Sequence, residues 1–150
     1  MPARAVKKRP LWRCPDCGHW FVTRNLWHSC ERVPVSAHFA GRPPALRQAW
    51  RAFVAAAREG GPVRLSPNRT RIAIMARMRF ASAVVRKGYL LCTFILARRV
   101  ADPRIVKYEF LKPRYHLHTF RLERPDQVDA QVRRWLAEAY RFGEQEPVGS

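Results

Sequence analysis

Three of the chain's four cysteines and two of its five histidines lie between residues 12 and 30, in the stretch WRCPDCGHWFVTRNLWHSC. The spacing Cys14-x2-Cys17-x10-His28-x1-Cys30 constrains the fold more than any other feature of the sequence. Cys-Pro-Asp-Cys-Gly is a compact turn that aims two thiolates at one point, and Gly18 lets the backbone fold back without a Cβ clash. The second pair completes a tetrahedron of three sulfurs and one nitrogen, a donor set that suits Zn2+. Four protein ligands leave no open position for water, so the expected zinc is structural. A segment of about 20 residues buries too little surface to fold by itself, and metal binding supplies what a core does not. His19 follows Cys17 where the turn is already closing, and the set of four is complete without it. Trp12, Trp20, Phe21 and Trp27 have two readings: a mini-core for this module, or stacking platforms for unpaired bases with Arg13 and Arg24 on phosphates.

Charge is the second constraint. The chain carries 29 Lys and Arg against 11 Asp and Glu, a formal net charge of +18 over 150 residues. Such a field attracts polyanions, so nucleic acid is the first partner to expect and an anionic membrane surface the second. Of the basic residues 24 are Arg; GC-rich codon usage explains Arg in place of Lys but not the shortage of acids. No window approaches the ~20 apolar residues of a membrane-spanning helix. The basic opening MPARAVKKRP is not followed by the apolar run of a secretory signal. Cysteines grouped at ligand spacing suit a reducing cytoplasm better than a disulfide framework, and a cytoplasmic location is expected.

Along the chain, residues 1–10 read as a flexible basic tail, 11–33 as the zinc-binding module, and 34–43, rich in Pro, as a linker. An α+β domain over 44–142 follows, with a flexible tail at 143–150. Leu46, Trp50, Phe53, Val54 and Ala57 recur at helical spacing until Gly60-Gly61 stops the run. About five strands are expected: VRLSP (63–67), RIAIMARMRFA (71–81), YLLCTFILA (89–97), VKYEFL (106–111) and YHLHTFRL (115–122). A closing helix over about 126–141 buries Val128, Val132, Trp135, Leu136 and Ala139. The expected architecture is a two-layer α+β sandwich: a mainly antiparallel sheet with two helices on one face.

Between Arg64 and Arg114 thirteen Lys or Arg face two acids, Asp102 and Glu109. The alternation in 71–81 puts Arg71, Arg77 and Arg79 on one side of a strand, and Arg86 and Lys87 occupy the next turn. These five, with His118, form the expected nucleic-acid or anion-binding set. The other meaning of such alternation is an ordinary solvated sheet face. His116 and His118 share a strand face, but no third ligand accompanies them, and a satisfied, partly buried pair is the expectation. Cys92, mid-run in the most apolar strand, reads as an inert core thiol. There is no glycine-rich phosphate loop, no serine-centred elbow and no completed carboxylate metal site, so no enzyme is expected.

WRCPDCG, HSC, FAGRPPAL, RIAIMARMRF, GYLLCTFIL and WLAEAY together resemble the bacterial domain of unknown function 5655, across residues 11–142, with a distant similarity to the YdhG-like α+β domains. The zinc-type front end is similar to that of one subgroup of the family. The resemblance implies the fold and the ligand set Cys14, Cys17, His28 and Cys30, and it places Arg79-Phe80 and His118 in the core pattern. It implies no catalytic residue. Relatives fused to nucleic-acid-associated modules favour a nucleic-acid role by analogy. The expected function is non-catalytic nucleic-acid binding through a basic sheet face. The alternative is a binding module for an acidic protein or a small anion, with zinc purely structural.

Overall fold

Pro44 sits at the first position of helix α2 (Pro44–Ala57), where its missing N–H costs nothing. Leu46, Ala49, Trp50, Phe53, Val54, Ala56 and Ala57 form its buried stripe. A single 3-10 turn (Arg58–Gly60) and Gly61, at φ +149°, end it. Any Cβ on Gly61 would run into the Tyr140 hydroxyl, so this turn has to be glycine twice over. Helix α3 (Ala130–Gly143) starts at Asp129, whose side chain accepts the Val132 N–H at 3.0 Å. It buries Val132, Trp135, Leu136, Ala139 and Tyr140.

The computed structural model describes residues 8–146; most of the tail read over 1–10, and 147–150 of the tail read over 143–150, lie outside the described residues. Six strands form the main sheet: β3 (Arg64–Pro67), β4 (Ile72–Met75), β5 (Arg79–Val85), β6 (Leu90–Leu96), β7 (Ile105–Lys112) and β8 (Tyr115–Leu122). Their order is β3-β4-β5-β6-β8-β7, with all neighbours antiparallel. The α+β sandwich is therefore as expected, but the stretch 71–81 is not one strand. It bends at Ala76–Met78 into a hairpin in which Met75 faces Arg79. No Gly, Pro or Asn marks the bend. It is held by Ala76 N–H to Met78 O at 3.1 Å and, across the fold, by Met78 N–H to Gly143 O at 2.9 Å.

Helices α2 and α3 cover one face of the sheet. Ile72, Ile74, Ala83, Leu90, Cys92, Phe94, Phe120 and Leu122 point into this layer, where the Phe94 ring stacks on Trp135 at 5.0 Å. Register places Ala73, Ser82, Thr93, Thr119 and Lys107 in one row on the opposite, helix-free face. The segment read as a linker over 34–43 belongs to the domain: Val35–His38 forms a short helix, α1, and Phe39 is buried in the main core 6.3 Å from the Trp50 ring. Proline spacing mimicked a boundary there because each Pro opens a helix (Pro34 before α1, Pro43 and Pro44 at α2).

The Cys/His module pairs two two-residue strands, β1 (Trp12–Arg13) and β2 (Trp20–Phe21). It seats on Met75, which turns away from the helix layer and packs with Cys14 and Phe21. Glu31 to Arg69 at 2.9 Å and Val33 N–H to Pro67 O at 3.2 Å tie its end to the β3–β4 connection.

Candidate metal centre and basic cleft

The turn that brings the first two cysteines together is closed by Gly18 N–H to Cys14 O and Cys14 N–H to His19 O, both 2.8 Å, with Gly18 at φ +77°. The four expected ligands converge: the donor atoms of Cys14, Cys17, His28 and Cys30 all lie within 4.8 Å of one another. Cys14 Sγ is 3.8 Å from Cys30 Sγ, and His28 Nε2 is 3.3 Å from Cys17 Sγ and 3.5 Å from Cys30 Sγ. Tetrahedral bonds of about 2.3 Å give sulfur–sulfur edges of about 3.8 Å, so these separations are those of a ligand shell. His28 Nδ1–H donates to Leu26 O at 2.7 Å, which leaves the Nε2 lone pair aimed at the sulfurs. Arg32 donates to Cys17 Sγ at 3.4 Å. The Cys17 backbone N–H pulls the Cys14 thiol down to about 7, whereas desolvation and then the Cys14 and Cys17 sulfurs push Cys30 up to about 11. Three adjacent thiolates repel one another, and a cation at their centre is what lets all three ionise. The Cys3His group can hold a metal ion. His19 stays outside it, half-buried against Phe21 with ring centroids 6.4 Å apart.

The four aromatics of the module divide evenly. Phe21 is buried and Trp12 half-buried beside it, forming the mini-core. Trp20 is exposed under Arg13, and Trp27 is 90% exposed.

The basic set is rearranged by the hairpin. Arg77, in the bend, is turned onto Gln145 Oε1 at 3.0 Å and the Arg9 carbonyl, so it does not share a strand face with Arg71 and Arg79. Arg79 is half-buried and, among the described residues, has no hydrogen-bond or ion-pair partner. Burial lowers its pKa, and the charge of nearby Arg71 lowers it further. The acids are engaged elsewhere: Glu31, Glu59, Asp102, Glu109, Asp126, Asp129, Glu138 and Glu144 each pair with another base. Arg86 and Lys87 are exposed in the β5–β6 turn, at the far end of β5 from Arg79 and about 23 Å along it.

His118 lies on the other side of the sheet from this set. It is fully buried among the core residues, its ring stacked on Phe94 at 4.8 Å, and its Nε2 accepts the Val100 N–H at 2.9 Å. The chain between β6 and β7 crosses β8 on the helix side and covers it. An anion-binding role for His118 is thereby withdrawn. His116 has a different fate, with its Nδ1 2.6 Å from the Tyr108 hydroxyl. Burial raises the Cys92 thiol well above its usual range, in keeping with an inert core residue.

Sequence reasoning did not find the space between the module and the sheet. A cleft of about 360 Å3 is lined by Trp27, His28 and Arg32 from the module and by Ala73, Met75 and Arg77 to Arg79 from the β4–β5 hairpin. No local pattern predicts it, because these two segments are more than forty residues apart. No helix among the described residues is long and apolar enough to cross a membrane.

A family model for a domain of unknown function, DUF5655, matches residues 35–143, and the chain belongs to that family. The match begins at the first residue of α1, so the Cys/His module precedes the family domain and lies outside the match. No curated protein and no solved structure matches the chain, and the distant similarity to YdhG-like domains finds no support there.

Proposed function

We propose that this member of the family is a non-catalytic, zinc-bound nucleic-acid-binding protein. Its zinc is structural, and the polyanion lies along the helix-free side of the β4–β5 hairpin. A ligand set of three thiolates and one imidazole in tetrahedral spacing favours Zn2+ over hard cations, which prefer oxygen. A reducing cytoplasm, where thiols stay free for metal, suits that centre.

The observation that carries the reading is Arg71 and Arg79, whose guanidinium groups have no hydrogen-bond or ion-pair partner among the described residues. A half-buried guanidinium that also feels the charge of Arg71, with no ion-pair partner among the described residues, is unfavourable in the free protein. Phosphate oxygens relieve it, and Arg donates to them in a bidentate fork. Arg86 and Lys87 extend the track beyond Arg71, which fits a polymer better than a single small anion.

The test is fluorescence anisotropy with labelled 20-mers at several salt concentrations, for the wild type and for R71A/R79A. Binding is expected to fall steeply with salt, and the double variant to lose about two phosphate contacts from the slope of log K against log salt. Absence of binding at low salt, or a variant with the wild-type slope and affinity, would overturn the proposal.

A further inference from the structure

We infer that the cleft between the Cys/His module and the sheet holds an unpaired nucleotide, its base stacked on Trp27 and its phosphate on Arg79. The inference rests on the nucleic-acid reading above and narrows it from nucleic acid in general to a single strand.

Trp27 is the first observation. It is the most exposed of the large apolar side chains among the described residues, at 90% against 59% for Phe110 and 53% for Val106. At that exposure Trp27 contributes little to holding the module together. Its backbone is nevertheless held by its neighbour. The next residue, His28, is fixed on one ring nitrogen by Leu26 O and on the other by the sulfur cluster, which ties residues 26–30 to the metal centre. An exposed indole next to so anchored a residue is available for stacking, and stacking on an aromatic ring accepts any base.

Arg79 is the second observation, and it lines the same cleft. Trp27 therefore shares a cleft of about 360 Å3 with a half-buried guanidinium that has no partner among the described residues. The volume is at the small end of the ~300–1,000 Å3 of small-ligand pockets. It suits one base with its sugar, and it is too narrow for a duplex about 20 Å across whose bases are stacked on both sides. Ala73 and Met75 add apolar lining for a ring face, and Ser29, Ser66 and Asn68 add polar lining.

The experiment compares zinc-replete wild type, W27A and W27F by anisotropy, using a labelled 12-nucleotide dT single strand and a duplex of the same length at one low salt concentration. Metal content is measured on each variant to show that the module is intact. The wild type is expected to bind the single strand more tightly than the duplex. W27A should lose about tenfold or more on the single strand with little change on the duplex, and W27F should regain much of it. Equal binding of single strand and duplex, unaffected by W27A, would overturn the cleft inference and leave the nucleic-acid reading standing. Binding of neither would overturn both. A loss in W27A that W27F does not restore would also count against stacking.

Discussion

The Cys/His module and the α+β domain pack against each other but are held together by different forces. The domain has one contiguous core built from α2, α3, β4, β5, β6 and β8, with Leu65 of β3 and Ile105 of β7 packed against it. The module's own cluster is Cys14 and Phe21, flanked by Trp12 and Cys17, and it is completed by Met75 from the domain. One folds because apolar surface leaves water; the other has four side chains that converge on a point and little else to bury. The difference teaches where change is tolerated. The domain is expected to keep its fold without a metal, and the module to depend above all on its four converging side chains.

The largest break in this comparison is C17S, which removes one thiolate from the shell. Zinc ligation of such modules supplies roughly 10–16 kcal/mol, so most of the module's stability is at stake. Bound metal is expected to fall from one per chain to near none, measured by release to a chromophoric chelator, while the main thermal transition of the domain moves by only a few degrees. W135A is the converse. It empties the site between Phe94, at 5.0 Å, and Phe120, at 5.9 Å. A loss of about 3–5 kcal/mol is expected in urea denaturation, and it takes the module's seat with it.

How much of this was legible in the sequence follows the same division. The four converging residues could be named from spacing, because such a Cys/His cluster is a local device: a turn of five residues makes half of it. The helices followed from their apolar period and their Pro and Gly boundaries. The bend at Ala76–Met78 could not be read, because what stabilises it, the Gly143 carbonyl on the Met78 N–H, arrives from sixty-five residues away. With the bend missed, five strands were expected in place of six, and Arg77 was grouped with Arg71 and Arg79. The Pro-rich segment 34–43 failed for a related reason: Phe39 is its one core residue, and a lone aromatic between prolines carries no period. His118 was legible as a strand residue and as a partly buried one, but not as fully enclosed, since its cover is the crossover between β6 and β7.

His118 also sharpens the comparison through pH. Burial, then the charges of His116 and Arg98, hold its folded-state pKa below the ordinary 6.5. The unfolded chain therefore takes up a proton first. Stability of the domain is unaffected by this group above pH 6.5 and falls as pH drops from there toward the folded-state value. Urea midpoints measured between pH 7.5 and 5 should decline in the wild type, and H118Q should flatten that decline. The smallest effect belongs to the surface pair of Arg98 and Glu138, at 2.8 Å with the arginine largely exposed. E138Q is expected to cost about 0.5 kcal/mol or less, and less still in high salt, by the same denaturation assay.

The most direct measurement is hydrogen exchange, read by mass spectrometry, on the metal-replete chain before and after chelation. The expected result is that peptides from residues 12–33 lose their protection while those covering α2, β5, β6, β8 and α3 keep theirs. Equal protection with and without metal, or a domain that opens together with the module, would contradict the division between a fold held by its metal and a fold held by its core.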